Sequence, residues 1–175
     1  MPDSQLPTTS TIRDLGVIVD NRLRFKDHIT SIVTRAHVRA MQIWHCFLCK
    51  EIDVLMKAFI TYVHPLLEYC SPVWSPSSKT LIDQLESVQR RFTKRLPGLQ
   101  SITHDERCAY LKIDRLELRH LYADLIRCYK INHGLTVLPS EKFFTITANR
   151  VTQGHSYKMF LPESRVNCRQ LWYAL

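Results

Sequence analysis

Apolar residues recur at helical spacing through most of this chain, and that pattern restricts it to a mainly α fold. From residue 29 they fall at Ile29, Ile32, Val33, Ala36, Ala40, Ile43, Trp44 and Phe47, which share one face of a 3.6-residue wheel. Arg35 and Arg39 point elsewhere. A second stretch repeats the pattern at Ile52, Leu55, Met56, Phe59, Val63, Leu66, Leu67 and Cys70. Pro65 interrupts it. Proline lacks a backbone donor and its ring meets the carbonyl of Thr61, so a kink or break is expected there. "SPVWSPSS" at 71–78 reads as a rigid loop. A third helix has Ser77 or Ser78 available as a cap, carries Leu81, Leu85, Val88, Phe92 and Leu96 as its stripe, and stops at Pro97-Gly98. Thr103-His104-Asp105-Glu106 is a capping-box pattern that opens a short helix to about Lys112. A final long helix places Leu118, Leu121, Leu125, Cys128 and Tyr129 inward and ends at Gly134.

The two ends differ from this middle. Residues 1–11 are polar and proline-containing, and a disordered lead is expected there. "DLGVIVD" at Asp14–Asp20 is a short β-branched run expected as a strand, with Gly16 allowing close backbone approach. Asp27 is then placed to cap the first helix. The helical domain is expected over 12–135. Residues 136–175 form an extended basic tail in which "KFFTITANR" alternates like a strand. The fold class expected is thus mainly α: a helical bundle with a short N-terminal β element and an extended basic C-terminal tail.

Charge narrows the partners. The chain has 175 residues, 45% of them hydrophobic, and a formal net charge of +8; it can bury a real core and favours anionic partners, nucleic acid before an anionic membrane surface. Solubility alone is the other reading of that charge. No stretch is apolar for the length of a membrane span, and the N-terminus lacks an apolar signal core. No membrane partner is expected, and an intracellular location, nucleus or cytoplasm, follows. The six cysteines are then reduced thiols, scattered through apolar-periodic segments.

Little in the sequence carries chemistry. His45 and Cys49, with Cys46 between them, share a helix face, but nothing nearby completes a tetrahedral zinc set. Their bland reading is two thiols and a histidine at a helix end. No nucleophile elbow or cysteine-protease signature occurs. The four glycines, at 16, 98, 134 and 154, are isolated, so no Gly-rich loop cradles phosphates. No grouped acids stand ready to hold two metal ions. No catalytic residue, metal or cofactor is assigned.

What remains is basic charge among aromatics. "ESVQRRFTKRLPGL" (86–99) gathers Arg90, Arg91, Lys94 and Arg95 around Phe92. Arg90 and Lys94 lie opposite the apolar stripe, and Arg91 and Arg95 lie on its flank. Such an array neutralises neighbouring phosphates and loses affinity with salt as counterions are released. Its other reading is a solvated helix end whose cations suit the C-terminal dipole. In the tail, Lys158, Arg165 and Arg169, interleaved with Tyr157, Phe160 and Trp172, look like a second, weaker phosphate-tracking segment.

Several stretches together resemble one family. "DLGVIVDNRLRFKDHI" (14–29) resembles the segment after the polymerase palm in reverse transcriptases of non-LTR (LINE-type) retrotransposons, especially the jockey-like group. "KAFITYVHPLLEYCSPVWSP" (57–76) is similar to that family's Tyr-Val-x-Pro-x-Leu-Glu-Tyr-x-x-x-x-Trp stretch, through Tyr62, Val63, Pro65, Leu67, Glu68, Tyr69 and Trp74. "LESVQRRFTKRLPGL" (85–99), "HDERCAYLKIDRLELRHLYADLIRCYKI" (104–131) and "TQGHSYKMFLPESRVNCR" (152–169) match the next three blocks. Five blocks in order carry the resemblance, which covers nearly all of 12–170. Two departures stand out: Gln153 replaces a common arginine, and "LWYAL" comes before the family's aromatic-rich closing segment.

The resemblance implies a thumb-like region downstream of the catalytic palm, in a chain that is a fragment or remnant of an RNA-directed DNA polymerase. The family's Phe/Tyr-Ala-Asp-Asp turn and its endonuclease residues have no counterpart here, so the chain alone is expected to be inactive. The implied role is sequence-nonspecific grip on the backbone of an RNA–DNA hybrid or duplex DNA. Pro65 and Glu68 are read as helix geometry. The alternative is a non-catalytic helical protein–protein interaction module, and oligomeric state is left open.

Overall fold

A computed structural model of the protein describes residues 9–144. Its described part begins as a hairpin. Strand β1 (Thr11–Asp14) pairs antiparallel with β2 (Val17–Asp20), Thr11 opposite Asp20 and Asp14 opposite Val17. The two loop residues, Leu15 and Gly16, have φ of 43° and 89°, the mirror-image turn whose twist matches its flanking strands. The expected single strand over Asp14–Asp20 is therefore folded back on itself, and Thr11, expected in the lead, lies in the sheet. Leucine is a poor residue for that turn, which is why the sequence reads straight through it.

Asp20 then redirects the chain. Its carboxylate accepts from the backbone N–H of Arg22 (2.8 Å), Arg24 (3.0 Å) and Phe25 (2.7 Å). Helix α1 (Lys26–Cys46) starts behind Phe25, which sits in the left-handed region as N-cap. Asp27, expected to cap this helix, falls in its first turn instead, because Asp20 already ties down the entry.

Helix α2 (Ile52–Tyr62) stops where Pro65 forces it to, and α3 (His64–Glu68) restarts with that proline in its first turn. The stretch expected as a loop contains a helical turn, α4 (Ser71–Trp74). It follows Cys70, held at φ 55°, and it buries Trp74 completely. The indole N–H donates to the Tyr69 carbonyl at 2.8 Å, and the rings of His28 and His120 meet Trp74 edge-on, each at 5.3 Å. Helices α5 (Lys79–Lys94), α6 (His104–Leu111) and α7 (Leu116–Asn132) follow. The capping box at Thr103–Glu106 forms as expected: Thr103 accepts from the Glu106 N–H, and Glu106 accepts from that of Thr103.

The chain divides into two compact units, one ending at His120 and the other beginning at Leu121. The first holds a core drawn from β2, α1, α2, α3, α4, α5 and the start of α7. Ile29, Ala36, Leu55, Phe59, Val63, Leu67, Val88 and Leu96 are its most enclosed aliphatic and aromatic members. Phe59 and Phe92 stack with ring centroids 4.3 Å apart, and Phe92 meets Trp44 at 5.5 Å. In the second unit α7 ends at a left-handed Gly134 (φ 66°). Leu135 donates back to Lys130 at 2.8 Å, and a 3₁₀ turn covers Ser140–Lys142.

The expected inner face of α7 is corrected in part: Leu121 and Cys128 are half-buried. Leu118, Leu125 and Tyr129 are 44%, 40% and 58% exposed. The residues buried from this helix are Leu116, His120 and Ile131. Among the described residues no helix is long and apolar enough to cross a membrane.

The aromatic stack gives a direct test. Phe59→Ala removes a fully buried ring from the centre of the core. It should destabilise the protein by about 3–5 kcal/mol, read as a lowered urea midpoint with little change in slope.

Candidate nucleic-acid interface

Helix α5 has three sides, and their sequence spacing sets them. Leu85, Val88 and Phe92 are apolar, buried and in the main core. Glu86, Gln89 and Thr93 recur at the same helical interval one residue on, and they are buried too. Arg90, Arg91, Lys94 and Arg95 occupy what is left and are all exposed.

The polar side is wired throughout. Glu86 Oε1 takes the His104 ring at 2.6 Å, and its Oε2 accepts from the Leu116 backbone N–H at 2.9 Å. Gln89 reaches His64 Nε2 with its carbonyl oxygen (3.2 Å). Its amide nitrogen donates to the Asp114 carbonyl (3.1 Å) and to the Cys108 sulfur (3.6 Å). Thr93 donates to the Gln89 carbonyl at 2.9 Å and accepts from Arg107 Nε at 3.2 Å. Arg107, itself buried, sends Nη1 to the Ile102 carbonyl. The apolar stripe expected on this helix does not include Glu86, Gln89 and Thr93, yet they are buried. Their spacing, one residue behind the apolar stripe, was the available signal.

This wiring holds the basic side outward. Arg90 approaches Asp83 at 3.8 Å, with both side chains about half exposed (46% and 54%), a pair that water screens well. Among the described residues no carboxylate lies within ion-pair distance of Arg91, Lys94 or Arg95. Arg95 lies over the Trp44 indole, its guanidinium carbon 5.0 Å from the ring centroid, and its Nη1 donates to Met41 Sδ at 3.3 Å. Lys50 stands 5.5 Å from the same ring. The Arg91 charge is felt by His37, whose pKa is lowered first by burial and then by that guanidinium. Lys158, Arg165 and Arg169, the tail residues expected to track phosphates, lie outside the described residues, as does most of "KFFTITANR".

Other candidates resolve into structure. Helix α1 ends at Cys46, so His45 and Cys49 do not share a helix face, and no group of three metal-ligating side chains occurs among the described residues. Glu68, expected to serve helix geometry, also pairs with Arg119 through both oxygens, at 2.5 and 3.1 Å. A small recess of about 30 Å³ is lined by Ile82, Leu85, Leu116 and His120.

No protein-family model matches the chain, and no solved structure matches it. It is similar to an uncharacterized protein of Caenorhabditis elegans, 31% identical over 101 residues, which is 56% of this chain. The chain spans about half (51%) of the length of that relative.

The wiring behind the basic face titrates. The Cys108 sulfur and then the Glu86 carboxylate raise the His104 pKa to about 9. Burial lowers those of His28, His64 and His120. The contribution of His104 is complete below its unfolded value, near 6.5, and is lost as pH rises through about 9. The three buried neutral imidazoles act oppositely: their stabilisation is lost as pH falls below 6.5. Stability against urea should therefore peak near pH 6.5 and decline on both sides. Glu86→Gln should make the alkaline limb shallower, the Cys108 contribution remaining, and leave the acid limb in place.

Proposed function

We propose that this chain is the thumb-like, nucleic-acid-gripping region of a non-LTR retrotransposon reverse transcriptase, without catalytic residues of its own. Its partner is the sugar–phosphate backbone of an RNA–DNA hybrid or duplex DNA. The observation that carries the reading is the exposed quartet Arg90, Arg91, Lys94 and Arg95 on a helix whose other two sides are locked into the bundle. A rigid support presents cations at little further ordering cost. The five ordered blocks of family resemblance supply the polymerase context.

Backbone contacts of this kind read no bases, and affinity for them depends on salt. Arg90→Ala with Lys94→Ala should weaken binding to hybrid and duplex alike. The pair should also lower the slope of log affinity against log salt by about two. Fluorescence anisotropy with labelled duplexes of unrelated sequence reads both quantities. Purified protein with primed template and divalent metal should incorporate no nucleotide, and measurable incorporation would contradict the reading. One observation favours a protein-interaction module instead: Tyr122, Leu125, Ile126 and Tyr129 stand exposed along α7. Charge reversal at residues 90 and 94 that leaves nucleic-acid binding unchanged would favour that module.

A further inference from the structure

Helices α1 and α5 run side by side in the same direction. Contacts step forward along both together: Ser87 meets His37 (3.4 Å), Phe92 meets Trp44 (5.5 Å), and Arg95 meets Met41 and Trp44. Their C-terminal ends therefore emerge at one place, and the cations of both ends gather on a single indole.

Trp44 is an unusual residue to find there. It is half-buried, and its indole N–H is enclosed without a hydrogen-bond partner. A buried tryptophan ordinarily finds a partner for that group. What the ring does offer is its π system. Arg95 lies 5.0 Å and Lys50 5.5 Å from its centroid. Behind it, Phe92 packs against the ring and is itself stacked on Phe59. The platform is thus anchored in the core while the cations on it face water.

An exposed arginine samples many rotamers, and freezing it onto a phosphate costs entropy. Arg95 is already ordered, by the indole on one side and by the Met41 sulfur on Nη1. Its remaining N–H groups stay free to donate, since a guanidinium carries five and cation–π contact engages none of them. Lys50 is ordered as well: its ammonium donates to the carbonyls of Trp44 and Phe47, at 2.6 Å each.

Resting on the proposed backbone-gripping role, we infer that Trp44 is a positioning residue of that contact. It holds Arg95, with Lys50 beside it, as a preordered phosphate ligand, so the ends of α1 and α5 build the contact together. Trp44 touches no nucleic acid itself. It acts through the guanidinium.

Salt-dependent binding of the full chain to a labelled random-sequence DNA duplex tests this. Trp44→Met replaces the ring with a smaller, flexible apolar chain, and Trp44→Phe keeps a ring. Trp44→Met should weaken binding roughly three- to tenfold at physiological salt and lower the log–log salt slope by about one, the signature of one lost phosphate contact. Arg95→Ala should do the same. The double variant should lose little more than either single one, because both remove one interaction. Trp44→Phe should keep most of the affinity and the slope. A purely structural tryptophan would shift the urea midpoint and leave the salt slope alone. If Trp44→Met keeps the wild-type slope while Arg90→Ala with Lys94→Ala lowers it, the inference fails and the gripping role stands. If the wild-type chain has no salt-dependent affinity for duplex, both fail. Should Trp44→Met not fold, Arg95→Ala decides: an unchanged slope overturns the inference, and a slope lowered by one that Trp44→Phe preserves supports it.

Discussion

Everything around α5 depends on one buried carboxylate. Glu86 is 5% exposed, and a buried charge is tolerated only when it is fully met. Its two oxygens take the first ring of α6, His104, and the first N–H of α7, Leu116. One side chain thereby fixes where two later helices begin. Gln89 and Thr93 extend the same seam toward the other end of α5, tying in Asp114, His64 and Arg107. Apolar ridges alone allow a helix to roll or slide by a fraction of a turn. Directional bonds at three successive turns do not. The rotation of α5 about its own axis is set by this seam, and so is the outward direction of Arg90, Arg91, Lys94 and Arg95.

A second focus is Trp74, set between His28 and His120. Those imidazoles are spoken for elsewhere: His28 Nδ1 accepts from the Ile18 N–H at 3.2 Å, and His120 Nε2 meets the Leu67 carbonyl at 2.9 Å. The hairpin, α3 and the start of α7 are joined through one ring and its neighbours. Tyr69 adds to this, since its hydroxyl donates to the Leu15 carbonyl at 3.1 Å. Tyr69, Trp74 and Glu68 each have packing or pairing work in the structure.

The sequence made the helices legible because their apolar intervals are long and regular, and because Pro65, the Thr103 capping box and Gly134 punctuate them chemically. It misled where one residue contradicted its setting. Leu15 occupies a turn position that favours Asn or Gly, so the hairpin read as a strand. Cys70 takes a left-handed conformation that permits α4 where two prolines announced a loop. On α7 an apolar stripe exists, but Leu118, Leu125 and Tyr129 within it are exposed, and periodicity alone cannot say which side of a helix another element will cover. The four basic residues of α5 were legible as a patch. Their neighbours Trp44, Met41 and Lys50 were not, because contact across 54 residues between Met41 and Arg95 leaves no local trace.

The basic residues at the end of α5 have two readings, cations that close a helix and cations that meet phosphates. The way the helix closes bears on the first. Its last turn is finished by backbone donors: Arg95 N–H to the Phe92 carbonyl at 3.1 Å, Leu96 N–H to Thr93 at 3.2 Å, and Leu99 N–H to Leu96 at 3.2 Å. Gly98, with φ 75°, lets the chain turn there. Helix α1 uses the other solution, a lysine placed directly on its terminal carbonyls. The α5 side chains are not consumed that way. Their through-space benefit from the dipole is about 0.3–1 kcal/mol each at most and is screened by salt, too little to require four of them. A helix that closes itself through its backbone does not use its charged side chains as the cap.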